Sequence, residues 1–65
     1  MIKLRFSIKA EDTDHIWKFV KVNKDVHVLF LRATRASSGI IYIYETRMNE
    51  ELRTAFLISV PLILE

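Results

Sequence analysis

Two histidines, His15 and His27, come first among the residues whose chemistry could matter, because imidazole is the side chain best suited to acid, base or metal-ligand work near neutral pH. His15 closes a short acidic run with Asp12 and Asp14, a set of oxygen and nitrogen donors that a metal could use. Acidic turns that end a strand are the commoner source of such a run, and no metal site is expected. In the strand register derived below, His27 faces Lys21 and His15 faces Ala33, so about six residues of strand, roughly 20 Å, separate the two imidazoles. They do not share an ion. Ser37 and Ser38 have no histidine near them in sequence and sit in a hairpin turn, which gives a nucleophile no shielded pocket. A single glycine excludes a glycine-rich phosphate loop. Glu11, Asp12 and Asp14, and the pair Glu50 and Glu51, read as solvated turns or the first turn of a helix. No catalytic residue and no cofactor is expected, and the chain reads as non-enzymatic.

The remaining chemistry is electrostatic. Ten Lys and Arg against eight Asp and Glu give a formal charge of +2 and a pI near 9.2, enough to permit polyanion binding but far from a nucleic-acid tail. Acids gather where connections should lie, while Lys3, Arg5, Lys9, Lys18 and Arg32 fall within alternating runs. Set beside Phe30, Tyr42 and Tyr44 on one sheet face, these cations would follow phosphates while the rings stacked on bases. Lys3, Arg5, Lys9, Lys18, Arg32, Tyr42 and Tyr44 are therefore the expected contacts of a single-stranded nucleic acid.

A protein interface competes with that reading and is preferred to it. Cations on an edge strand keep it soluble and unpaired, and tyrosines suit protein contacts as well as bases. Val28, Phe30, Phe56, Leu57 and Leu62 belong to segments with more apolar surface than one thin layer hides, and they are the expected interface. The function expected first is that of a small binding module or regulatory protein, of the kind phages and plasmids carry, acting through a protein–protein interface as a homodimer. Nucleic-acid binding is the alternative.

These residues need elements to position them. Ile2, Lys3, Leu4, Arg5, Phe6, Ser7, Ile8, Lys9 and Ala10 alternate apolar and polar types at period two, the pattern of a half-buried antiparallel strand. Turn signals after Ala10, Val22, Ala36 and Arg47 divide the chain at intervals of about 8 to 12 residues. The expected fold is mainly β, a four- to five-stranded antiparallel meander, rolled or dimerised, with strands near 2–10, 15–22, 26–36 and 40–47 and a candidate fifth over 52–60. Ser37-Ser38-Gly39 fits a three-residue hairpin loop whose last position needs positive φ. That loop sets Ala36 across from Ile40, and pairs Arg32 with Tyr44, Ala33 with Ile43, Thr34 with Tyr42 and Arg35 with Ile41. Counted through the other turns, one apolar face collects Phe6, Ile8, Trp17, Phe19, Leu29, Leu31, Ile41 and Ile43.

Two segments also read as helices. Asp12 to Lys24 has leading acids, trailing lysines and Ile16, Phe19 and Val20 at helical spacing, against the strand-forming Trp17, Val20 and Val22. Asn49 could cap a helix begun by Glu50 and Glu51 and stopped by Pro61. The alternative fold is therefore α+β and ferredoxin-like, with helices near 13–23 and 50–59.

Sixty-five residues make one small domain, 1–65, and a core this size buries only about 60% of the surface exposed by the unfolded chain. With no cysteine to reinforce it, self-association is the expected supplement. The longest uncharged run, Thr54 to Leu64, covers 11 residues against the ~20 of a membrane-spanning helix. No signal peptide is evident. A cytoplasmic protein without a membrane partner is expected. Leu64-Glu65 resembles a dipeptide left by a cloning site.

Overall fold

The alternating run at the start of the chain becomes β1 (Ile2–Lys9) in the computed structural model, which describes residues 1–64. A 3₁₀ turn over Ala10–Asp12 leads into α1 (Asp14–Val22). A hairpin of β2 (His27–Ala36) and β3 (Gly39–Met48) follows, then α2 (Glu50–Ser59) and the two-residue β4 (Ile63–Leu64). Of the final dipeptide, Glu65 lies outside the described residues.

The expected meander is overturned. Residues 15–22 lie in α1 and most of 52–60 lies in α2, so the protein is mixed α+β, with three long strands and a short fourth. β1 pairs with β3 and not with the segment that follows it, giving the sheet order β2-β3-β1-β4 with antiparallel neighbours throughout. This is the β-α-β-β-α-β order of the ferredoxin-like plan.

The physical reason lies in α1. Ile16 is fully enclosed, and Phe19 and Val20 pack against the same core, so the i, i+3, i+4 stripe is what burial selects. Val22, which argued for a strand, is left in solvent, and Trp17 is half exposed with its ring edge-on to Tyr44 at 6.2 Å. Asn23 ends the helix with both its backbone N–H and its side-chain amide, which donate to the Phe19 carbonyl at 2.9 and 3.1 Å.

α2 starts as its sequence suggests. The Asn49 Oδ1 accepts from the Leu52 N–H at 2.8 Å, and Glu50 and Glu51 occupy the positive end of the helix dipole. Both helices lie on one face of the sheet. There Phe6, Ile8, Ile16, Met48 and Phe56 are enclosed, and Phe56 meets Phe6 at 5.4 Å and Phe19 at 5.2 Å between ring centroids. Each such aromatic contributes on the order of 1.5–3 kcal/mol by leaving water.

The hairpin register also differs from expectation. Gly39 does take positive φ, +125°, but Ala36 lies across from Gly39 and Arg35 across from Ile40. Arg32 consequently pairs with Ile43, Ala33 with Tyr42 and Thr34 with Ile41, each one residue from the expected partner. A bulge between Phe30 and Arg32 then shifts the pairing again, so that Phe30 faces Tyr44. The core side of β3 is set by β1: Tyr44 lies across from Phe6 and Tyr42 across from Ile8, which puts Tyr42, Tyr44, Thr46 and Met48 on the core side and leaves Ile41 and Ile43 off it.

Candidate functional site

Strand alternation fixes what the uncovered face of the sheet carries. Phe6, Ile8, Tyr44 and Met48 point into the helix-covered core, so the odd positions of β1 and β3 point the other way. Three rows cross that open face from the β1 side to β2: Lys3, Arg47 and His27; Arg5, Glu45 and Leu29; Lys9, Ile41 and Thr34. A fourth row, Ile63, Ser7, Ile43 and Arg32, spans all four strands.

The apolar residues of this face lie on β3 and on the two edge strands, β2 and β4. Ile43 is only 5% exposed although no helix covers it, because the bulge leaves both Leu31 and Arg32 on its side of β2. Leu29 (56% exposed) and Leu31 (37%) on edge strand β2, and Ile63 (51%) on edge strand β4, lie in solvent. The two central strands carry most of the cations of this face. Lys3, Arg5, Lys9, Arg32 and Arg47 are five of the ten Lys and Arg of the chain, while Glu45 is the one acid among the described residues that joins them. Glu45 lies 3.6 Å from Arg5, whose side chain is mostly exposed, a pair worth about 0–1 kcal/mol. A shallow depression of about 470 Å³ opens beside this pair, lined by Met1, His27, Val28, Leu29, Glu45 and Arg47.

The structure separates the residues expected to bind nucleic acid. Lys3, Arg5, Lys9 and Arg32 share the open face, Lys18 is on α1, and Tyr42 and Tyr44 are on the opposite side of the sheet. Among the described residues, the open face carries no aromatic ring. The rings form their own cluster on the helix side, where Phe30 meets Tyr42 at 5.6 Å and Tyr44 at 5.4 Å. Burial, and after it the neighbouring Tyr42, raises the Tyr44 phenol above its usual range.

The expected interface residues are also divided. Phe56 is wholly enclosed, Val28 and Leu62 pack against the core, Leu57 is half-buried, and Phe30 is 51% exposed. His15 lies on α1 and His27 on the open face of β2. Among the described residues, no group of three or more His, Cys, Asp or Glu is placed to hold a metal ion. No helix among them is long and apolar enough to cross a membrane.

Sequence reasoning missed Arg47, Leu29, Leu31 and Ile63 as surface residues of one face. The available signal was the parity of Phe6 and Ile8, which assigns Lys3 and Arg5 outward; the parity of β3 had none, because both of its faces are apolar. No family model, curated protein or solved structure matches this chain.

Proposed function

We propose that this chain is a small non-enzymatic binding module, a regulatory protein in kind, that works through a protein–protein interface on the open face of its sheet. One observation carries the reading: exposed aliphatic side chains, Leu29 and Leu31 on edge strand β2 and Ile63 on edge strand β4, share one open face with the cations Lys3, Arg5, Lys9, Arg32 and Arg47. Interfaces that bind protein combine apolar with polar side chains, and arginine is enriched in them. A surface built for single-stranded nucleic acid would set aromatic rings among those cations. Here the rings lie on the other side of the sheet.

The homodimer expected of so small a core would have to form elsewhere on the molecule, because two copies joined at this face would set like charges against like. Light scattering over a range of concentrations reads self-association as a mass of twice 7.7 kDa.

The interface is tested by capture from an extract of the source cells, with nuclease present. Wild-type protein is expected to retain one defined chain, and Leu29→Asp with Leu31→Asp to lose it, while Lys21→Glu on α1 retains it. Capture that depends on nucleic acid, or that ignores the Leu29 and Leu31 changes, would overturn the reading.

A further inference from the structure

We infer that the occupant of the open face is an acidic amphipathic helix of a partner protein, laid across the strands from β4 to β2; this rests on the protein-interface reading above. The aliphatic residues follow one row across the sheet. Ile63 on β4, Ser7 on β1, Ile43 on β3 and Arg32 on β2 make that row, and Leu31, in the bulge beside Arg32, and Leu29 extend its apolar part at the β2 end. Three strand spacings make that row about 14 Å long. Three turns of α-helix span about 16 Å, and residues at i, i+3, i+4 and i+7 present a stripe of matching width.

Charge selects the sign of the partner. Lys3, Arg5 and Arg47 lie on one side of that row, Lys9 lies on the other and Arg32 stands at its β2 end, so carboxylates on both flanks of an apolar stripe would each meet a cation. The depression beside Leu29 and Arg47 adds a concavity in which one side chain of the stripe can seat.

Three other occupants fit less well. A second copy would bring the same cations against themselves. A single-stranded nucleic acid would find no ring to stack on and would bury Leu29, Leu31 and Ile63 against phosphates. An added strand would have to pair with β4, which offers only two residues, or with the edge of β2, which the bulge at Leu31 interrupts and which carries Arg32 and Arg35, two devices that discourage edge pairing.

The experiment is an amide NMR titration of the intact chain with three probes. The first is a synthetic helix of about 18 residues, long enough to fold, with leucine at i, i+3, i+4 and i+7 and glutamate on its flanks. The second is the same peptide with glutamine for glutamate, and the third is oligo-dT. The glutamate peptide is expected to shift the amides of Ser7, Leu29, Leu31 and Ile43, and to bind about tenfold more tightly than the glutamine peptide. Arg32→Glu and Lys3→Glu, both at exposed positions, should each weaken it several-fold while the dispersed spectrum shows the fold intact. If the glutamine peptide binds the same amides equally well, the protein interface stands and the acidic helix falls. If oligo-dT shifts those amides more tightly than either peptide, both fall. Shifts at these amides that grow with protein concentration alone would make a second copy the occupant and overturn the inference.

Discussion

Tyr44 joins the enclosed core to the exposed rings. Its ring meets Phe6 at 6.1 Å on the core side and Trp17, Phe30 and Tyr42 on the outer side. That position explains why its phenol holds its proton more tightly than an ordinary tyrosine: an anion there would lose water and would lie beside Tyr42. The consequence for stability has a definite sign. The unfolded chain begins to release this proton near pH ~10, while the folded chain still holds it. The contribution of Tyr44 is therefore full below about pH 10 and is lost as pH rises through the folded value. Tyrosinate absorbance should include a late step from Tyr44, above the ordinary tyrosine range, and the urea midpoint should fall above about pH 10. Tyr44→Phe should remove the late step and flatten that part of the pH dependence relative to wild type. The absence of a late step, or a late step that survives Tyr44→Phe, would contradict this placement of Tyr44.

Among the elements, β1, the existence of the β2–β3 turn and the helical alternative for α2 were legible because each carries a signal that depends on few neighbours. Ile2 to Lys9 has a clean period of two, Gly39 has the backbone freedom that its turn uses, and Asn49 precedes two acids as a helix cap should. α1 was ambiguous for a physical reason. Trp17 and Val22 favour strand by type, and only the packing of Ile16, Phe19 and Val20 against Phe56 and its neighbours overrides them. The facing of β2 and β3 was not legible at all. Leu29, Phe30 and Leu31 are consecutive and apolar, so a one-residue shift exchanges one apolar face for another with no sequence penalty. The open face could not be assembled from the sequence until that parity was known. Asn49 permits a direct test of the element whose start was legible. Asn49→Ala removes the acceptor for the Leu52 N–H and is expected to cost about 1 kcal/mol, or roughly 4–8 °C in Tm for a domain this small. Asn49→Asp keeps the acceptor and adds charge at the favourable end of the helix dipole, so its Tm should equal or exceed that of wild type. Thermal melts followed by circular dichroism decide both.

The molecule as a whole keeps its core on one side of the sheet and half of its cations on the other, and that division has an energetic cost. Lys3 lies across from Arg47, which lies across from His27, and Arg5 follows Lys3 on the same face. Like charges placed directly opposite one another on a sheet are destabilising by roughly 0.2–1 kcal/mol. In a chain of 65 residues total stability is only about 3–10 kcal/mol, so the repulsion is a real fraction of it. If the cations of this face exist to meet a partner, removing one of them should stabilise the free protein while weakening binding. Lys3→Glu is the cleanest case, because the new carboxylate would lie opposite Arg47 and beside Arg5. At about 0.01 M salt, where screening extends over ~30 Å, its urea midpoint should rise by the equivalent of roughly 0.5 kcal/mol. At about 1 M salt, where the screening length is ~3 Å, most of that gain should disappear. The same variant should bind the glutamate peptide more weakly. A loss of stability at low salt would mean that Lys3 supports the fold, and the cations of this face would then need no partner to account for them.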